Sequence, residues 1–289
     1  MQDIKNIDLA VQYLISIKNR NSFETELLLN LTTSKYHYLA NNVGFEASLE
    51  VAEKGYKIKD FNQAKRETRT DYLYDLGYLY DKVGNSFEGI NFYKKSLDLY
   101  IKKYGEVNNE VALNYNNLAF AYANVYNQKN TIAYYEKEAK IWETLHKDSN
   151  DNKDYLVRVY HNLIYQYINY GDLEKAQLKL IKLNNFIKKK YQTNASKSET
   201  TYFLSFSDYS LSNIRMNLAL DKKNEALKFL EDFERNQFLP YKKNIHATYL
   251  IQCYEEVADF LIEKKEHETA FMLIQKGLSL ANKLNKSPI

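Results

Sequence analysis

The chain is predicted to be all-α, a tandem array of about six helix–turn–helix pairs, on three observations. Its 289 residues include only 8 Gly and 2 Pro, too few for the tight turns of an all-β domain or for glycine-rich phosphate loops. A hydrophobic content of 45%, with 27 Tyr and 14 Phe, is enough to build a core and excludes a disordered chain. A helical run, a glycine stop and a second helical run also recur along the sequence, which is how a solenoid looks at the sequence level.

The elements follow in order. An N-terminal helix is expected at about residues 3–19, as part of a cap over 1–21. The repeat is clearest at Tyr72–Asn85, where Leu76-Gly77 precedes Tyr78 and Gly84 ends the helix. Phe87, Gly89, Phe92, Tyr93, Ser96, Leu97 and Tyr100 then follow at helical spacing. A small residue at Gly77 lets the paired helix come close enough to interdigitate. Taking Gly77 as anchor, Ala119 comes next (119 − 77 = 42), then Ile164 (164 − 119 = 45), Ile214 (214 − 164 = 50) and Ala258 (258 − 214 = 44). Gly171-Asp172 reads as a helix stop followed by an N-cap, with Ala176 as the small residue of the second helix. Toward the N-terminus, Glu46-Ala47 puts an anchor at Lys35 (77 − 35 = 42). The expected solenoid runs over 22–289, in units 22–66, 67–107, 108–150, 151–196, 197–243 and 244–289.

Leu-Gly, a following Tyr, a glycine stop and then small and aromatic positions resemble the tetratricopeptide repeat. At one junction Tyr104, Gly105, Asn108, Val111, Ala112, Asn116, Asn117, Leu118 and Ala119 resemble the kinesin-light-chain subtype, without the proline common in that linker. The other long junctions, 147–154 and 192–199, share only length and polarity with it. The resemblance implies a right-handed superhelix with the first helix of each pair lining a concave groove. Such a groove holds a peptide or protein segment without bond chemistry.

With the anchor counted as eighth, positions two, five, nine and twelve of each first helix should face that groove. The projection gives Tyr36, then Asp71, Tyr74, Tyr78 and Asp81, then Asn116 and Phe120. It continues with Arg158, His161 and Tyr165, then Asp208 and Arg215, then Gln252, Glu255 and Asp259. Asn116 can offer one donor and one acceptor to an extended backbone; alternatively it or Asn117 bridges adjacent helices. Arg158 and Arg215 either bind acidic ligand groups or pair with nearby carboxylates. Tyr74, Tyr78 and Tyr165 either line the groove or pack between neighbouring pairs, whereas Tyr80, Tyr122 and Tyr167 fall at packing positions.

Chemistry of other kinds finds little support. His37, His146, His161, His246 and His267 have no metal-ligand spacing. No HExxH, G-x-S-x-G or P-loop occurs. Cys253 is alone, so no internal disulfide can form, and it reads as a buried thiol. The net charge of +3 is spread along the chain, and Lys188-Lys189-Lys190-Tyr191 suits a helix end better than a nucleic-acid patch. No run approaches the ~18 apolar residues of a membrane span. Asn30-Leu31-Thr32 and Asn194-Ala195-Ser196 fit the glycosylation triplet.

The expectation is a non-catalytic scaffold or adaptor with no cofactor, no metal and a peptide or protein partner, located in the cytoplasm, or in the periplasm if the chain is cut from a longer one. Two alternatives remain. One is the regulatory region of a larger protein such as a caspase-like protease or histidine kinase. The other is a peptide-pheromone receptor resembling the Rap-type regulators, although 20 residues are short for the N-terminal bundle of that family.

Overall fold

The repeat positions read from the sequence recur as one physical contact in the computed structural model, which describes residues 2–145, 154–192, 199–235 and 244–285. All regular elements among them are helical, and two compact units, Met1–Leu145 and His146–Ile289, divide the chain. In the first unit α1 (Gln2–Ser16) precedes α2 (Ser22–Asn42) and α3 (Phe45–Tyr56), then a 3-10 turn at Phe61–Gln63. The pairs α4 (Arg66–Lys82) with α5 (Ser86–Tyr104) and α6 (Asn109–Asn124) with α7 (Gln128–Leu145) complete it. The second unit pairs α8 (Asp154–Tyr170) with α9 (Leu173–Gln192), α10 (Glu199–Ala219) with α11 (Lys223–Phe233), and α12 (Asn244–Glu263) with α13 (His267–Asn285). The N-terminal helix, expected at 3–19, ends at Ser16. The junctions at 147–153 and 193–198 and the triplet at Asn194 lie outside the described residues.

Within each pair one buried position of the first helix meets one buried position of the second, always 12 residues on (89 − 77 = 12). Gly77 and Gly89, Ala119 and Thr131, Ile164 and Ala176, Ile214 and Ala226, and Ala258 and Ala270 are all buried. At the α4–α5 crossing a methyl on Gly89 would lie 3.0 Å from the Gly77 carbonyl oxygen. A methyl on Gly77 would lie 2.7–2.9 Å from the Tyr93 ring. The backbones are close because no side chain separates them.

The first pair corrects the register by one residue. Tyr36 and Ser48 are the buried couple, and the Ser48 hydroxyl donates to the Tyr36 carbonyl at 2.7 Å. Lys35 points outward to Asp8. Ala47 drew the alignment one residue early because it is the smaller side chain, but Ser48 satisfies its hydroxyl on the backbone it touches. Tyr36 therefore stands at the anchor, 1% exposed in the core, and is not a groove residue. Position nine of that helix is His37.

Five of the turns between paired helices share one geometry. The bonds Asn85 N–H to Tyr80 O, Asn127 to Tyr122, Asp172 to Tyr167, Lys222 to Asn217 and Glu266 to Leu261 are the long bonds of Schellman stops. The left-handed residue is Gly84 or Gly171 in two of them, and Tyr126 (φ 55°), Asp221 (φ 58°) and Lys265 (φ 64°) in the others. Asp172 then accepts from the Lys175 amide at 3.1 Å as the expected N-cap. At the Tyr104–Ala119 junction Gly105 (φ 78°) ends α5 and Asn108 caps α6.

The N-terminal helix is held by Arg20. Its guanidinium donates twice to Asp60 at 2.6 and 2.7 Å and once to the Leu14 carbonyl at 2.9 Å. Asp60 also accepts from Thr25 at 2.9 Å, and the Arg20 bonds hold its carboxyl below the usual range. Cys253 is buried in the core of the second unit, and burial pushes its thiol well up. Among the described residues no helix is long and apolar enough to cross a membrane.

Two substitutions test this framework. Gly77→Ala should lower stability by about 1–3 kcal/mol, as overpacking against a fixed ring does; thermal unfolding by circular dichroism reads it. Tyr126→Gly should raise stability by up to about 1 kcal/mol by relieving a left-handed residue that is almost fully exposed. A drop in melting temperature for that variant would mean the Tyr126 ring makes a contact worth more than the strain.

Candidate functional site

In the first unit, position nine of the three first helices carries His37, Tyr78 and Phe120. All three are open to solvent, Tyr78 at 40% and Phe120 at 52%, with the His37 side chain at 57%. Three large side chains at equivalent positions of successive helices form a ladder. Tyr78 is held edge-on to Phe45, with centroids 6.1 Å apart. The Lys82 ammonium lies 5.2 Å from its ring centre.

Polar groups tie the helices together beneath this ladder. The Asn117 amide donates to the Tyr74 hydroxyl at 2.6 Å, joining α6 to α4. Asn116 donates in turn to the Asn117 carbonyl oxygen at 3.3 Å. Of the two asparagines, Asn117 is thus the bridge, and Asn116 is a half-buried neighbour. The Tyr74 ring stands 5.7 Å from Tyr93 and is as much packing as lining.

The three aspartates of α4 are met by neutral donors or by histidine. Asp71 accepts from Tyr100 at 2.8 Å. Asp75 accepts from Tyr36 at 2.7 Å and contacts His37 at 3.0 Å. Asp81 accepts from Asn124 at 2.9 Å and from the Ser86 hydroxyl. The bond to Asp75 raises the His37 pKa above its ordinary value, against a smaller opposing effect of burial.

The second unit treats its polar residues differently. Of the two readings of Arg215, pairing with a carboxylate is the one observed, and its side chain is only 10% exposed. Its Nε and Nη2 donate side-on to the Glu256 carboxylate at 2.6–2.9 Å. Its guanidinium lies 4.4 Å from the Tyr165 ring centre, and a third nitrogen stands 3.4 Å from His161 Nε2. The other ring nitrogen of His161 is 2.8 Å from the Ser212 hydroxyl. Burial, with Arg215 alongside, holds the His161 pKa down at about 3. A neutral ring donating through Nδ1 and accepting through Nε2 fits these partners.

Asp208, also projected to the groove, is buried and hydrogen-bonded to Tyr249. Burial lifts its pKa to about 6, although Tyr249, Arg158 and Arg215 pull it down. His161, Asp208 and Arg215 are thus internal struts between α8, α10 and α12. Period alone gave a direction for them, and the neighbouring helix turned out to cover that direction. Tyr165 keeps 40% of its surface exposed, and Arg158 is half-buried with its guanidinium 5.0 Å from the Tyr155 ring centre. Gln252 is half-buried, while Glu255 and Asp259 are exposed.

His37, Asp75 and Asn117 are the polar residues that the projection missed or left open. His37 would have followed from the correct register. Asp75 sits at position six, which faces the preceding pair. Among the described residues no group of three or more His, Cys, Asp or Glu side chains could hold a metal ion. His146 and the side chain of His246 lie outside the described residues.

No family model matches the chain, and no curated protein matches it. Solved structures do match. BtubC (BKLC) from P. vanneervenii superposes with a TM-score of 0.57 at 15% identity, over 81% of this chain and 89% of that one. A putative kinesin light chain of Podosopora anserina with nearly identical TPR-like repeats gives a TM-score of 0.59 at 16% identity, over 74% and 97%. The apo form of RapI gives 0.56 at 13% identity, over 90% and 99%. At these identities the likeness is one of fold. The chain is an all-α tetratricopeptide-like repeat protein.

The buried carboxyl of Asp208 predicts a pH signature. Its folded pKa lies above the ordinary 3.8, so its stabilising contribution is complete below about pH 4 and is lost as pH rises through about 6. Asp208→Asn imitates the protonated acid. The variant should match the parent at pH 4 and exceed it by on the order of 2–3 kcal/mol at pH 7.5, as read by urea unfolding at both values.

Proposed function

We propose that this chain is a non-catalytic scaffold that holds a peptide or protein segment on the first-helix face of its N-terminal unit. The observation that carries this reading is the exposed ladder of His37, Tyr78 and Phe120. Aromatic side chains in partial exposure supply contact area with little entropy to lose, as binding hot spots do. Asn116, half-buried on α6 one turn before Phe120, offers an amide to the backbone of an extended segment. Among the described residues, Asp71, Asp75 and Asp81 have no lysine or arginine as hydrogen-bond partners, which favours a segment carrying basic side chains. Tyr165 would serve as a separate contact in the second unit, where Arg158, His161 and Arg215 act as its support.

A second reading, a peptide receptor of the Rap kind, is favoured by the alignment with RapI over 99% of that chain. Its groove would be used in the same way, with an effector-binding surface elsewhere on the molecule.

A displayed random-peptide library, selected on the full chain, tests the proposal. Selected peptides, resynthesised, should lose at least about 100-fold in affinity for Tyr78→Ala/Asn116→Ala/Phe120→Ala, the sum of truncating three hot-spot contacts. The melting temperature of the variant should stay close to that of the parent. Undiminished affinity in the triple variant would sink the groove assignment.

A further inference from the structure

A cavity of about 390 Å³ opens on the other side of α4 from Tyr74 and Tyr78. Arg69 and Leu73 reach it from α4, where helical spacing sets them roughly opposite the groove positions. Lys95, Asp98, Leu99 and Lys102 line it from one face of α5. Tyr56 at the end of α3 closes it together with Ile58, Lys59, Phe61 and Asn62 of the segment that follows. Phe61 and Leu73 are buried and make an apolar floor, with the Tyr56 ring edge-on to Phe61 at 5.1 Å.

The charge around this floor is one-sided. Lys59, Arg69, Lys95 and Lys102 stand against a single carboxylate, Asp98. Four other lysines of this unit are paired with carboxylates: Lys54 with Glu50, Lys57 with Glu53, Lys35 with Asp8 and Lys103 with Glu67. Among the described residues none of the four cavity cations has an ion-pair partner, Asp98 included. Lys95 makes one 3.2 Å bond to the Tyr56 hydroxyl and lies 4.7 Å from the Phe92 ring centre. Arg69 is half-buried, with one long bond of 3.4 Å to Asn62, and its Nε is buried with no hydrogen-bond partner.

A buried donor without an acceptor is costly, and unopposed cations around a concave apolar floor focus a positive potential. We propose that this cavity binds a small organic anion, a phosphate or carboxylate head group on an aromatic or apolar body. Arg69 and Lys102 would take the oxygens, Lys59 and Lys95 would close the rim, and Phe61, Leu73 and Leu99 would receive the body. The volume suits a ligand of roughly one or two rings. The site is separate from the peptide groove and stands whether or not the groove reading does.

Isothermal titration calorimetry of the full chain with phenyl phosphate, benzoate, inorganic phosphate and phenol provides the test. Phenyl phosphate or benzoate should bind saturably at one site and more tightly than inorganic phosphate, and phenol should give no saturable signal. Arg69→Gln/Lys102→Gln should weaken the aromatic anion by at least about tenfold, while Lys54→Gln/Lys57→Gln should not. Lys59→Gln/Lys102→Gln, which leaves α4 untouched, should weaken it too and guards against misfolding of the first variant. Equal affinity in both cavity variants, no saturable binding of either aromatic anion, or phenol binding as well as phenyl phosphate would overturn the site. A phosphotyrosine peptide binding more tightly than phenyl phosphate would also overturn it in favour of a protein ligand.

Discussion

The structure depends on how closely two helices can approach within a pair. Where Gly77 crosses Gly89 the gap is so small that an added methyl would meet a carbonyl oxygen or the Tyr93 ring. The same couple, 12 residues apart, is buried in all six pairs, with Ala, Ser, Thr, Ile or Tyr standing in for Gly. Once that contact is set, position nine of each first helix is turned away from the second helix by the 3.6-residue period. The exposed ladder of the first unit is therefore a geometric consequence of the anchor.

The two units put polar residues to opposite uses. In the first, the aspartates of α4 accept from tyrosine, serine and asparagine, so that negative charge and aromatic surface are presented together. In the second, Arg215, Glu256, His161 and Asp208 meet one another in the interior. Desolvation there keeps His161 neutral and raises the Asp208 pKa. Buried networks of this kind specify one arrangement of helices and have little left over for a ligand. Tyr165 emerges from that network with 40% of its surface exposed and Arg215 stacked against it.

Most of the fold was legible in the sequence because repeat signals are local. Glycine stops, N-caps and small residues at helical spacing report on a turn or a pair and need no long-range information. The anchor at Lys35 failed where the signal is weakest. A tyrosine occupies the anchor of the first pair, and the nearest small residue, Ala47, lies one place before the true partner, Ser48. One residue is 100° of helix, enough to send Tyr36 from groove to core and to bring His37 outward. The exposure of the candidate residues was legible only in part: Tyr78 and Phe120 are exposed and Asn116 is half-buried, whereas His161 and Arg215 do not offer free surface. Which arginine finds a carboxylate is decided by a residue 41 positions away, Glu256.

By itself, the sequence determined the helical class, the number of pairs, their turns and the positions that must be small, since each follows from backbone sterics and near-neighbour packing. The tertiary structure decided which of the projected polar residues are spent on one another. It also gathered Lys59, Arg69, Lys95 and Lys102, from three separate stretches, around one apolar floor. Charge pairing acts between side chains that folding brings within a few ångströms, and no periodicity along the chain records those distances.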